Sequence, residues 1–406
     1  MNGPLLQNIG LNPPYQETNI SGANARLDNP GGAVGGAPAA QSLRAIQTDF
    51  KTPYMQHWSL DVQRQLTSKS LVTVGYYGSK GTNLIGLTEL NSIPVGKALR
   101  TPCVNAAGVT LAQCQPNGYV FRNSNAPLNN PNGTTVDILI LDQLRPYRGY
   151  RSIAIVQPRY NSNYHSLQVS GQQRFSGASQ INLSYTFSKN LTDSQNDRTA
   201  SPQDTYNTKA ETARAALDRR HIFSLNYVYE IPFFNKQNGF IGKVLGGFQA
   251  SGIITYNTGV PFTAVTRNYD PGGTGIINAN PVARPNLLCN PNANAPNTQQ
   301  QFFDISCFQR NPLPSDITNV ANVPGNAGRG VIFGPPTSRV DFTLAKTIRF
   351  SERFRLQLRG ELFNIFNTTN FRGFNSLNVE DGAGLFGAIG SVRDPRTAQL
   401  AAKFNF

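Results

Sequence analysis

The chain has 406 residues, enough for one large domain or two to three ordinary ones, and a net charge of +14. Hydrophobic residues make up 39%, mean hydropathy is −0.34, and no run approaches the roughly 20 apolar residues of a spanning helix, which excludes a helical membrane protein. Charged residues are 14%, far under the roughly 25% of a typical soluble domain, so a helical enzyme rich in Glu, Lys and Leu does not fit. Asn, Gln, Ser, Thr and Gly supply the polarity instead. The basic residues are scattered, and Tyr147-Arg148-Gly149-Tyr150-Arg151 is the nearest approach to a basic cluster with aromatics. No nucleic-acid partner is therefore expected. A basic pore or loop surface favouring anionic solutes is the better use of the charge.

Residues 1–56 carry Pro13-Pro14, Pro30-Gly31-Gly32 and Gly35-Gly36 without a sustained period, and read as loop. Met1 to Leu6 has neither the basic start nor the apolar core of a signal peptide. The regular pattern begins at Trp58. His57 to Thr67 predicts a strand, Ser68-Lys69 a tight turn and Ser70 to Lys80 a second strand. Residues 81–160 are irregular, with Val136–Leu141 and Ser152–Val156 as short apolar stretches that could add to the strand count. The cleanest alternation follows. Leu167, Val169, Gly171, Gln173 and Phe175 oppose Ser166, Gln168, Ser170, Gln172 and Arg174; after Ser176-Gly177-Ala178, Ile181, Leu183, Tyr185 and Phe187 oppose Asn182, Ser184, Thr186 and Ser188. This is an antiparallel hairpin with one apolar and one hydroxyl/amide face.

A polar loop over 192–219 follows, with one helical turn expected around Ala210 to Leu217. Phe223, Leu225, Tyr227 and Tyr229 mark the fifth strand, and Ala250, Gly252, Ile254 and Tyr256 the sixth. Residues 259–337 form the longest loop. Val340, Phe342, Leu344, Ile348 and Phe350 then share a face, and Ser351-Glu352 turns the chain. Phe354, Leu356 and Leu358 oppose Arg355, Gln357, Arg359 and Glu361. In the last strand Ala398, Leu400, Ala402, Phe404 and Phe406 oppose Thr397, Gln399, Ala401, Lys403 and Asn405. Lys346, on an otherwise apolar face, is the one residue that counts against a lipid contact there.

Short and long connections alternate strictly along these nine strands. Loops of tens of residues are uncommon in a compact soluble domain, whereas short periplasmic turns and long outer loops are the arrangement of membrane barrels. The fold class expected is all-β, an antiparallel transmembrane β-barrel, partial, of about nine or ten strands with long extracellular loops. Bacterial barrels have even strand numbers, so nine implies at least one further strand ahead of the first. Residues 1–56 then read as an extracellular loop following that strand, and 57–406 as the C-terminal part of the barrel. The other class considered, a soluble or secreted β-rich binding protein such as a propeller, would show one motif per blade, and no such repeat is found.

Thr52-Pro53-Tyr54-Met55-Gln56-His57-Trp58-Ser59-Leu60-Asp61-Val62-Gln63-Arg64 resembles the segment leading into the barrel of Oar-like TonB-dependent outer-membrane receptors, the group carrying a carboxypeptidase-regulatory-like domain. Further matches follow in family order: Gly75 to Gly81, Ser162 to Val169, Ser184 to Lys189, Asp218-Arg219-Arg220-His221, Gly328-Arg329-Gly330, Arg359 to Asn367, Phe386-Gly387 and Pro395-Arg396. The resemblance covers the family's C-terminal barrel portion only. It implies a bacterial outer-membrane location, lipid as a partner, and uptake of an unidentified solute. It also implies a TonB system engaged through a plug domain that has no counterpart here. The terminal strand resembles the signature that the barrel-assembly machinery recognises, with Phe404 and Phe406 as its residues.

Little in the sequence points to chemistry. No catalytic group, cofactor or metal is expected: there is no CxxC and no Cys/His cluster. Cys103 with Cys114 and Cys289 with Cys307 are local pairs in Pro/Asn-rich loops, as loop disulfides of an oxidising compartment would be. His57, His165 and His221 sit at strand ends and read as interfacial or pore-lining. Arg174, Arg355, Arg359 and Glu361 are the candidate lumen-lining residues, a charge ladder rather than a catalytic pair.

Overall fold

A computed structural model of the protein describes residues 41–97, 101–104, 110–111, 144–147, 150–194, 202–266, 274, 283–309, 324–351 and 353–406. Nine long strands run through it: β1 (Tyr54–Thr67), β2 (Ser70–Glu89), β3 (Tyr150–Arg174), β4 (Gln180–Thr192), β5 (His221–Glu230), β6 (Phe248–Asn257), β7 (Thr337–Arg349), β8 (Arg355–Phe363) and β9 (Thr397–Asn405). Each pairs antiparallel with its neighbour in chain order, so the sheet is an up-and-down meander. These are the nine strands that the alternation predicts. Among the described residues the sheet is not closed: β1 and β9 are its two edges.

The register explains why the meander holds together. Antiparallel partners project to the same side of a sheet. Leu60 pairs with Tyr76, Tyr76 with Leu167, and Leu167 with Phe187. Leu183 pairs with Leu225, Leu225 with Ile254, and Ile254 with Val340. Phe342 pairs with Leu362, and Leu362 with Ala398. All nine alternations are thus in phase, and one side of the sheet is apolar from edge to edge. A slip of one residue would carry a whole strand's apolar set to the other side. The opposite side carries the amides and hydroxyls: Gln168 pairs with Thr186, Ser170 with Ser184, and Asn182 with Asn226, whose side chains bond at 2.9 Å.

Aromatic groups mark both margins of the apolar side. Toward the long loops, Trp58 lies over Gly78, where a Cβ would come within 2.2 Å of the indole nitrogen. His165 pairs with Gly78 from the other side and bonds the Tyr76 hydroxyl at 2.7 Å. The same Tyr–His pair recurs as Tyr185 and His221, also at 2.7 Å. Toward the short turns, Phe354 stacks on Phe404 and Phe404 on Phe406, with centroids 6.0 and 6.4 Å apart. Lys346 lies at this margin. Its ammonium donates to Val244 O and Gly246 O at 2.6 and 3.0 Å and sits 4.1 Å from the Phe248 ring. It is therefore a rim residue held by carbonyls at the end of a helix, and no charge in the middle of the apolar band.

Several boundaries differ from the sequence reading. Gln41–Ile46, expected as loop, is a strand parallel to the first part of β3. β2 runs on to Glu89 and β3 begins at Tyr150, so the two continue as a paired ribbon beyond the span. Ser152–Val156 belongs to this ribbon and adds no strand of its own. The helical turn expected near Ala210 is a 3₁₀ turn at Thr208–Glu211. The connection between β5 and β6 holds a helix, α1 (Gly239–Leu245), that the sequence reading missed. Val136–Leu141 and Cys114 lie outside the described residues, and so does the expected Cys103–Cys114 pairing.

The described parts of the loops after β4, β6 and β8 are built structures. Phe303, Phe308, Phe386, Ile332 and Ala264 form a buried cluster, with Phe262 and Phe374 packed against it. Phe303 meets Phe308, Phe374 and Phe386 edge-on at 5.3 to 5.7 Å, the arrangement that aromatic quadrupoles favour. Backbone bonds from Phe302 N to Gly387 O and from Ile389 N to Gln299 O tie the loop after β6 to the loop after β8. Cys289 and Cys307 are disulfide-bonded inside this cap.

Candidate functional site

The polar side of the sheet and the loop cap above it are where a solute could be handled. On β7 and β8 the polar side carries a column of charges. Arg339 Nε bonds Asp341 Oδ1 at 2.7 Å, and Asp341 also accepts from Asn364 N at 2.8 Å. Glu361 lies opposite Thr343, and Arg359 opposite Ala345. Arg359 Nη1 is 3.5 Å from Glu361 Oε1. Arg355 faces Arg349 near the short-turn end, and Lys403 lies opposite Gln357 on β9. Arg359, Glu361 and Arg355 thus stand in one ladder on one strand. Arg174 is on the same polar side, at the short-turn end of β3 opposite Gln180, with β4 to β7 between it and Arg355. These pairs are partly exposed, so each holds geometry more than it adds stability.

The cap is held by a buried ionic centre that the sequence reading missed. Glu211 takes Arg284 in a two-pronged contact, Nη1 to Oε2 at 2.9 Å and Nη2 to Oε1 at 3.0 Å. Arg329 Nε is 3.1 Å from the same carboxylate and also bonds Glu211 O at 3.0 Å. Gln203 closes the set: its backbone N donates to Glu211, its Oε1 accepts from Arg284 N and its Nε2 donates to Gly325 O. Burial pulls the Arg329 guanidinium below its usual range, and the Glu211 charge opposes that shift. The centre fastens the loop after β4 to the loop after β6. Only the Gly328-Arg329-Gly330 motif hinted at it in sequence.

Asp218-Arg219-Arg220-His221 is a rim clasp. Asp218 is buried, pairs with Arg214 at 2.6 Å and accepts from Asn190 N at 2.7 Å. Arg219 donates to Thr258 O at 2.7 Å, and the Arg220 guanidinium lies 5.6 Å from the Phe187 ring centre. No substrate-facing proton donor emerges from the motif. Cys289, Asp304 and Cys307 come within 4.8 Å of one another, but both sulfurs are spent in the disulfide and Asp304 accepts from Ser306 N and Oγ. Phe404 and Phe406 are exposed on the apolar side at the short-turn margin.

A meander with one side apolar to its edges, the other polar and charged, aromatic margins, short turns at one end and a loop cap at the other is the architecture of a transmembrane β-barrel. The chain belongs to the outer membrane beta barrel domain family, which it matches over residues 1–399. Its place is the bacterial outer membrane, and the soluble or secreted alternative is set aside. Among solved structures it is similar to the outer membrane transporter YddB of Escherichia coli, at 9% identity and a TM-score of 0.44, covering 91% of this chain and 35% of that one. It is also similar to the ferric-catecholate import receptor Fiu of E. coli K12, at 12% identity and a TM-score of 0.39, covering 89% and 29%. The pyoverdine receptor FpvA of Pseudomonas aeruginosa PAO1 follows at 10% identity and a TM-score of 0.34, covering 87% and 30%. The match spans about a third of the length of each of these proteins. No curated protein matches the chain.

Proposed function

We propose that the chain is the C-terminal barrel portion of an Oar-like TonB-dependent outer-membrane receptor that takes up a solute. One observation carries the reading: the sheet has a lipid-compatible side and a charged polar side in register across nine strands, beneath a built loop cap. Arg174, Arg355 and Arg359 outnumber Glu361 among the residues proposed to line the lumen, which favours an anionic solute. β1 and β9 both run from the cap end to the short-turn end, so direct closure would pair them parallel. At least one more strand restores the antiparallel pattern and the even count. Residues 57–406 are then the C-terminal part of the barrel, and 1–56 an outer loop segment following that strand. The plug and the TonB contact belong to an upstream segment. The barrel-assembly machinery is proposed to grip β9 through Phe404 and Phe406.

The test is uptake and fractionation in a bacterial host. The chain joined to a plug-bearing upstream segment should partition with outer membranes and take up its solute only with a working TonB system. A stable soluble monomer would sink the reading. Uptake that persists without TonB would replace the receptor with a passive pore.

A further inference from the structure

The connection between β5 and β6 exposes more large apolar side chains than a periplasmic turn needs. Phe233, Phe234, Phe240, Ile241, Val244 and Leu245 are all exposed, with Phe233 at 69% and Phe240 at 84%. At about 100° per residue, Phe240, Ile241, Val244 and Leu245 fall within one arc of about 140° on α1. Gly242 and Lys243 fall on the opposite side, and Gly242 packs closely against the Gln237 backbone.

The location of α1 gives this arc its partner. Lys346 and Phe248 are register partners on the apolar side of the sheet. Lys346 reaches Val244 O and Gly246 O, at the C-terminal end of α1. The helix is thus fastened at the lipid-facing side of the sheet's lower margin, not beneath the polar side. Gln237 fixes it further, donating to Thr347 O at 2.6 Å and accepting from Arg349 N at 3.0 Å. The turn from Ile231 to Gly247 contains Lys236 and Lys243 and no acidic residue.

We propose that α1 is an interfacial anchor that lies in the periplasmic phospholipid leaflet, its apolar arc among the acyl chains and its lysines on anionic headgroups. The arc is continuous with a side of the sheet that already meets lipid, so the membrane is the surface it reaches first. An amphipathic helix in this setting sinks its apolar face about 5–10 Å into the headgroup and acyl boundary. The inference rests on the membrane-facing side of the sheet and not on solute uptake, so a negative TonB result leaves it standing.

Trp58 is the chain's single tryptophan, which makes a fluorescence test direct. In a Trp58→Phe background, Phe240→Trp and Lys243→Trp variants of the full chain are reconstituted into phosphatidylethanolamine/phosphatidylglycerol vesicles. The acyl chains carry bromine at shallow or deep positions. Tryptophan at position 240 should emit blue-shifted, and shallow bromines should quench it at least about twofold more than at 243, as a surface-lying helix requires. Val244→Trp on the same arc repeats the reading if Phe240→Trp disturbs the turn. Unquenched emission at 240 and 244 overturns the proposal, whether it is water-like, as in an exposed turn, or blue-shifted, as burial against protein would give. Equal quenching at 240 and 243 overturns it too, as does an unsubstituted chain whose Trp58 is not quenched.

Discussion

Glu211 sits between two guanidiniums in the cap, and its partners are 73 and 118 residues away in sequence. Removing one partner of a buried ionic set leaves the others charged in a poorly solvated place, at a cost of about 3–5 kcal/mol. Glu211→Gln should therefore loosen the joint between residues 202–214 and 283–309. Hydrogen exchange would rise in those two stretches while the strands below keep their protection; unchanged exchange would mean that the phenylalanine cluster alone holds the cap. On the sheet, the glycine under Trp58 makes a second test. A side chain at position 78 meets the indole, so Gly78→Val must push Trp58 out of its slot, at about 1–3 kcal/mol for the overpacked site. The emission of the lone tryptophan should shift; an unmoved spectrum would show that the strand yields instead. The sequence displayed both features unequally. Gly78 lies in a motif that resembles a family, yet its role as a slot needs the register that sets Trp58 and His165 on either side. Glu211 carries no local signal, because an ionic centre assembled from three distant stretches has no spacing to read.

Strands show the reverse. The nine spanning strands were legible because lipid on one side and a polar interior on the other force a period of two on every one of them. Where that constraint stops, the period of two stops with it. The upper parts of β2 and β3 pair with each other beyond the span, with nothing to enforce alternation, so a period of two does not mark their full length. Gln41–Ile46 is held by a parallel ladder to β3 and follows a stretch rich in Gly, Ala and Pro that reads as coil. The cap's two-residue strands, Pro261–Phe262 with Ile332–Phe333 and Asn286–Leu287 with Phe308–Gln309, are too short to show a period, and so is α1. The cap's own staple can be tested as an element. Cys289 and Cys307 close a loop of 18 residues, for which the chain-entropy argument gives about 3 kcal/mol. A Cys289→Ser, Cys307→Ser variant should admit protease into residues 283–309 and leave the sheet intact. Loss of the sheet as well would show that cap and strands fold as one unit.

At the scale of the whole molecule the decisive feature is the pair of edges. β1 offers 14 residues of backbone and β9 offers 9, and among the described residues each has one side without a ladder partner in the sheet. Open edges of that length invite pairing with other chains, and full closure is what removes them. The two edges run in the same direction, so closing this sheet on itself would set a parallel contact among eight antiparallel ones. Residues 1–406 alone, refolded in detergent, should therefore associate with increasing concentration and be cut by protease along β1 and β9. Joined to an upstream segment that supplies at least one further strand, the same residues should give a monomer that resists both. That monomer should migrate compactly on an unheated detergent gel and shift on boiling, as closed barrels do. A compact, heat-shifted monomer formed by residues 1–406 without any addition would mean that β1 and β9 close directly, and the requirement for a further strand would fall.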